Sequence, residues 1–202
     1  MKESKFDGGL LQLIGYSILG ALVTVCTLGI CLPWAYTMIY KWEAEHTVIN
    51  GERLSFDGTA IGLFGNWIKW LLLSVITCGI YGFWVGIKLK QWRIEHTHTE
   101  SGEKSYFDGG LLQLIGYSLL GSLITACTAG ICLPWAYTMI YNWEIKHTVI
   151  AGKRLKFDGT AVGLFGNWIK WFLLSVITCG IYGFWVGIKL KQWKVSHTSF
   201  EV

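Results

Sequence analysis

Charge is what this 202-residue chain has least of: 15% of its residues are charged, and none lies from Gly8 to Tyr40 or from Gly109 to Tyr141. No paired carboxylates, no nucleophile beside a base and no glycine-rich phosphate loop occur, which argues against an enzyme and implies no cofactor. The six cysteines (Cys26, Cys31, Cys78, Cys127, Cys132, Cys179) form no Cys-x-x-Cys pair and read as small apolar packers. A net charge of +4 comes without any nucleic-acid module. Met1–Asp7 leads into a long segment without a small-residue cleavage site, so no cleavable signal peptide is expected.

What the chain has in excess is apolar surface and self-similarity, with 52% hydrophobic residues, 12 Trp and 25 Gly. Phe-Asp-Gly begins at Phe6, Phe56, Phe107 and Phe157, at spacings of 50, 51 and 50 residues. Trp34, Trp84, Trp135 and Trp185 follow in register, then Trp42, Trp92, Trp143 and Trp193, then His46, His96, His147 and His197. The first and third units are near-copies, as are the second and fourth. The chain therefore reads as two duplicated halves, 1–101 (units 6–55 and 56–101) and 102–202 (units 107–156 and 157–202).

Each junction between units has its own signal. Asn50-Gly51, between Thr47-Val48-Ile49 and Glu52-Arg53-Leu54, predicts a β-hairpin, repeated around Ala151-Gly152 and more loosely from His96 through Gly102. The C-terminal His197–Phe200 and the N-terminal Ser4–Asp7 are expected to meet as a fourth hairpin and close a ring. The 33 uncharged residues from Gly8 to Tyr40 exceed the roughly 18 that mark a transmembrane helix. As one helix they would span about 50 Å against a hydrocarbon core of about 30 Å. The break falls at Thr27–Pro33, giving helices near Gly9–Thr27 and Pro33–His46, and likewise near Thr59–Thr77 and Ile80–His96. Lys and Arg gather at the polar ends and are missing from the Thr-x-Gly-Ile turns, which puts every charged stretch on one side of a membrane. The fold expected is an all-α membrane protein. Its four helical hairpins, each of one long and one short helix, stand in a pseudo-symmetric ring with short cytoplasmic β-hairpins between them.

With Phe-Asp-Gly, Thr-x-Gly-Ile-x-x-Pro-Trp, Trp-x-x-x-His-Thr and Asn-Gly-x-x-Leu-x-Phe-Asp-Gly-Thr together, the chain resembles the YjgN-like family of bacterial inner-membrane proteins, whose function is unassigned. The second and fourth units depart from the Pro-Trp form, reading Gly82-Phe83-Trp84 and Gly183-Phe184-Trp185. The resemblance implies a multi-pass protein of the bacterial plasma membrane with both termini cytoplasmic. It carries over no catalytic or ligand residue.

Three sets of residues carry candidate chemistry. Lys69 and Lys170, three residues after Asn66 and Asn167, sit about ten residues into a helix where an ammonium in lipid costs roughly 2.5–3.5 kcal/mol. Facing a hydrated interior they would attract an anion or a lipid headgroup; facing outward they would be snorkelling lysines in an interfacial belt. His46, His96, His147 and His197, or Asp7, Asp57, Asp108 and Asp158, could meet around one axis as a metal site. The simpler reading makes the histidines helix C-terminal partners and the aspartates N-caps. Lys88, Lys90, Arg93, Lys189, Lys191 and Lys194 suit anionic lipid headgroups. The function expected is a small pore or transporter-like bundle with Asn66, Lys69, Asn167 and Lys170 at its inner surface. The alternative is a non-transporting structural, lipid-binding or partner-docking module. Lipids with anionic headgroups are the expected partners, with no nucleic acid, and a second copy of the chain is left open.

Overall fold

Each unit starts on a strand that returns forty residues later to meet its own end. In the computed structural model, which describes residues 3–100 and 103–201, the first unit runs β1 (Lys5–Phe6), α1 (Leu10–Cys26), α2 (Leu32–Glu45) and β2 (Thr47–Ile49). Strands β1 and β2 pair antiparallel, Lys5 opposite Val48 and Phe6 opposite Thr47, so a short ladder ties the base of the helical hairpin. After β3 (Glu52–Arg53), the second unit repeats the plan with β4 (Ser55–Phe56), α3 (Ala60–Ile76), α4 (Gly82–Glu95) and β5 (Thr97–His98). The third unit follows with β6 (Tyr106–Phe107), α5 (Leu111–Cys127), α6 (Leu133–Lys146) and β7 (Thr148–Ile150), and the fourth with β8 (Lys153–Phe157), α7 (Ala161–Ile177), α8 (Gly183–Ser196) and β9 (Thr198–Phe200). Among the described residues that makes eight helices and three small antiparallel sheets.

The helix ends fall within two residues of the sequence expectation, for local reasons. Gly29 and Leu28 both take left-handed φ (86° and 52°), and the Gly29 N–H closes on the Thr24 carbonyl at 2.8 Å. The Thr27 hydroxyl donates to the Val23 carbonyl at 2.7 Å and accepts from the Cys31 N–H at 3.1 Å, stapling both sides of the turn. At the unit junction Asn50 and Gly51 adopt φ of 49° and 80°, the two left-handed positions of a type I′ hairpin joining β2 to β3.

The all-α membrane fold is overturned. Helix α1 has 17 residues, about 26 Å at 1.5 Å per residue, and α2 has 14, about 21 Å. The rest of the uncharged run is spent on the Gly8-Gly9 turn and the Thr27–Cys31 turn. Among the described residues no helix is long and apolar enough to cross a membrane. A multi-pass, transmembrane, channel-like protein of the bacterial plasma membrane, with both termini cytoplasmic, therefore lacks its spans. Nor is the protein all-α, because the strands tie every unit.

The terminal hairpin is also corrected. β9 pairs with β8, and β1 pairs with β2 while packing against α8, so the two ends come near one another without forming a ladder. The looser joint between the halves includes Ser101 and Gly102, which lie outside the described residues; β5 and β6 on either side belong to different sheets.

The core lies at the base. Ile49, Leu54 and Phe56 from the first half join Ile150, Leu155, Phe157 and Phe200 from the second in one buried cluster with Leu63, Trp70 and Trp92. The outer helix faces and tips are a different surface, with Leu28 93% and Ile76 76% exposed.

Candidate functional site

The recurrent motifs turn out to build the base. Phe6 meets Trp42 edge-on with ring centroids 5.5 Å apart, and the pairs Phe56–Trp92, Phe107–Trp143 and Phe157–Trp193 repeat this at 5.6–5.7 Å. The glycine of Phe-Asp-Gly is what lets the rings close: a Cβ on Gly58 would stand 2.4 Å from the Phe56 ring and 2.7 Å from Trp92. Trp-x-x-x-His-Thr is a helix C-terminal device. The Nδ1–H of His46, His96, His147 and His197 donates to the carbonyl of its own Trp42, Trp92, Trp143 or Trp193 at 2.7–2.8 Å. The following threonine hydroxyls donate to the carbonyls of Glu43, Arg93, Glu144 and Lys194. Two carbonyls in the last turn of each second helix are thus occupied.

The histidines and aspartates do not meet around an axis. Among the described residues no group of three or more His, Cys, Asp and Glu could hold a metal ion. The aspartates are not N-caps either, since Gly9, Thr59, Gly110 and Thr160 hold those positions. Instead Asp7 pairs with Arg53 at 2.7 Å, Asp108 with Arg154 at 2.8 Å and Asp57 with His98 at 3.0 Å. The Arg53 hydrogen bond holds the Asp7 carboxyl below the usual carboxylate range. The cysteines stand free, exposed or half-buried, at the tips.

Lys69 and Lys170 lie on exposed faces of α3 and α7, with Asn66 exposed and Asn167 half-buried and bonded to the Gly163 carbonyl. None of the four lines the cavity described below, and the membrane that either reading of the lysines required lacks its spans among the described residues.

What the structure does bring together is a subset of the residues assigned to lipid headgroups. A cavity of roughly 250 Å³ lies where the ends of α2, α4, α6 and α8 approach the strands. Its ionisable lining is Glu43, Glu144, Lys90, Arg93, Lys191 and Lys194, with Tyr141 and the threonines Thr47, Thr97, Thr148 and Thr198. Lys88 and Lys189, two residues earlier on α4 and α8, point outward.

The two halves contribute matching sets. Lys191 reaches Glu43, and its counterpart Lys90 reaches Glu144 at 2.9 Å. Arg93 lies 4.5 Å from the centre of the Tyr40 ring and pairs with Glu43 at 2.6 Å. Its counterpart Lys194 lies 4.2 Å from the centre of the Tyr141 ring, without a carboxylate in ion-pair contact among the described residues. Burial, and behind it the Lys194 ammonium, lowers Lys191 to about 8; burial also lowers Lys194 and raises Tyr141.

Sequence reasoning found the four cations but not their arrangement. It passed over Glu43 and Glu144, whose signal was available: they are the acidic residues that follow Trp42 and Trp143, where the even units have Arg93 and Lys194. Comparison with protein-family models, with curated proteins and with solved structures finds no match.

Proposed function

We propose that this protein is a non-catalytic binding module that takes a compact oxyanion, of which phosphate is the reference, into the cavity between its second helices. One observation carries the reading: four cations face two carboxylates, an excess of two positive charges in a partly desolvated space. In the last turn of each second helix two carbonyls already accept from histidine and threonine donors, which lessens the pull of the helix ends on that excess. A volume of roughly 250 Å³ falls below the range of about 300–1,000 Å³ usual for drug-sized ligands, which favours a headgroup-sized anion. The pore reading has less support, because Asn66, Lys69 and Lys170 are exposed and none of these, nor Asn167, lines the cavity. The YjgN-like resemblance remains compatible with a binding module and adds no residue to it.

The phosphate could be free or carried by a lipid. The exposed apolar helix faces favour the lipid source, since acyl chains would cover them. Calorimetry with inorganic phosphate and with glycerol phosphate, and flotation with vesicles containing phosphatidylglycerol, separate the sources. Saturable binding of the soluble anions is expected from the wild type, lost in Lys90→Gln/Lys191→Gln and kept in Lys69→Gln/Lys170→Gln. Binding to vesicles alone assigns the anion to lipid. Absence of binding in all three arms, or equal loss in the Lys69/Lys170 variant, overturns the proposal.

A further inference from the structure

The cavity has two near-identical sides, and they differ in one chemical respect. On one side Glu43 is 14% exposed and held by both Arg93 and Lys191. On the other Glu144 is 31% exposed and held by Lys90 alone. The difference traces to Arg93 against Lys194, the matching positions of the second and fourth units. A guanidinium is broad and planar, so Arg93 covers the Tyr40 ring and still reaches a carboxylate. Lys90 and Lys191 each meet a carboxylate with a ring centre about 6 Å away, whereas the Lys194 ammonium, lacking the breadth of a guanidinium, stays at its ring. Lys194 takes the ring of Tyr141, and no acceptor for its N–H groups lies within hydrogen-bond reach among the described residues. It is half-buried, and Glu144 is the one carboxylate among the charged groups that act on it, beside Lys90 and Arg93.

We infer that the anion sits off-centre, at Lys194 beside Tyr141, and that the Arg/Lys difference between the even units makes this one seat rather than two or none. This rests on the anion-binding reading above and specifies it. A cation in a desolvated space is unfavourable until an anion or carboxylate meets it. On the Arg93 side Glu43 already does so. On the Lys194 side the place is open, with the Tyr141 ring holding the ammonium and its N–H groups as charge-assisted donors for one oxyanion.

Two substitutions that keep every charge test it. In Lys194→Arg the guanidinium gains the reach to span Tyr141 and Glu144, and inorganic phosphate binding by calorimetry is expected to weaken at least tenfold. Arg93→Lys frees a second ammonium, and the stoichiometry is expected to rise from one to two. The double swap Arg93→Lys/Lys194→Arg moves the open seat to the other side and is expected to restore one site, which also controls for misfolding of either single variant. If the wild type binds phosphate and Lys194→Arg binds it equally well, the off-centre seat is wrong while the anion-binding reading stands. If the wild type binds neither the soluble anions nor the vesicles, both fall; if it binds vesicles alone, the same swaps are read by flotation, and equal binding by Lys194→Arg overturns the seat.

Discussion

The odd and even hairpins descend from one repeat and have come apart in a consistent way. In the first and third units the two helices pack closely: a Cβ on Gly20 would stand 3.0 Å from the Ala35 Cβ, and one on Gly121 equally close to that of Ala136. Pro33 and Pro134 start their second helices fully buried, and Trp42 and Trp143 are anchored through Nε1–H to Gln12 and Gln113 at 3.0 and 2.9 Å. The even units have none of these. Phe83 and Phe184 replace proline and are exposed, Gly86 and Gly187 meet nothing within 4 Å, and Gly62 and Gly163 stand where the glutamines would be. The even second helices instead carry all four cations of the cavity. Tight hairpins hold the base, and the looser ones present the charge.

Removing the anchor should break that comparison most. Trp143→Ala deletes a side chain 4% exposed that packs on Phe107 and bonds Gln113, and should cost about 3–5 kcal/mol in denaturant unfolding. Trp193, half-buried and lacking that hydrogen bond, should lose clearly less when truncated. Equal losses would mean the two kinds of hairpin are equally locked.

Glycines give the next largest contrast. Gly20→Leu and Gly121→Leu drive a branched side chain into Ala35 and Ala136, and should each destabilise by about 1–3 kcal/mol. Gly86→Ala and Gly187→Ala sit mid-helix in open space and should stabilise by about 0.5–1 kcal/mol, through helix propensity alone. Thermal melts of the four variants decide it. The recurrent Gly15, Gly65 and Gly116 also meet nothing within 4 Å, so recurrence in the sequence does not tell which glycines touch a helix.

The same limit governs what was legible elsewhere. Thr27, Gly29 and Asn50-Gly51 act within a few residues of themselves, so the sequence revealed the turns and the helix ends they set. The β1–β2 ladder joins two-residue stretches forty residues apart, too short for an alternation to register. The uncharged run from Gly8 to Tyr40 looked long enough to span because hydropathy does not count the residues that turns remove. Lys90, Arg93, Lys191 and Lys194 were recognised as anion-seeking but grouped with Lys88 and Lys189, which lie on the outer face. A period of two residues between Lys88 and Lys90 on a helix does imply opposed faces, and that signal could have divided the set earlier.

The smallest effect concerns pH, and it sets the two even units against each other. Lys191 sits among Glu43 from α2, Lys90 and Arg93 from α4, Tyr141 and Glu144 from α6 and its own neighbour Lys194. Its folded-state value of about 8 lies below the 10.5 of an ordinary lysine. The unfolded chain therefore binds more protons between those values, and this group's unfavourable contribution, full below about pH 8, is relieved as pH rises toward 10.5. Stability of the ligand-free protein should thus gain from Lys191 across that window, while the cavity loses a positive charge and phosphate affinity falls. One charge among four should change affinity by less than tenfold, which is below about 1.4 kcal/mol. Phosphate titrations from pH 7 to 9.5, paired with thermal melts without ligand, should give slopes of opposite sign. In Lys191→Arg, whose guanidinium keeps its proton, the part of both slopes centred near pH 8 should vanish, leaving only what Lys194 contributes. A profile unchanged by that substitution would take Lys191 out of the titrating cavity and leave the comparison resting on Lys194 alone.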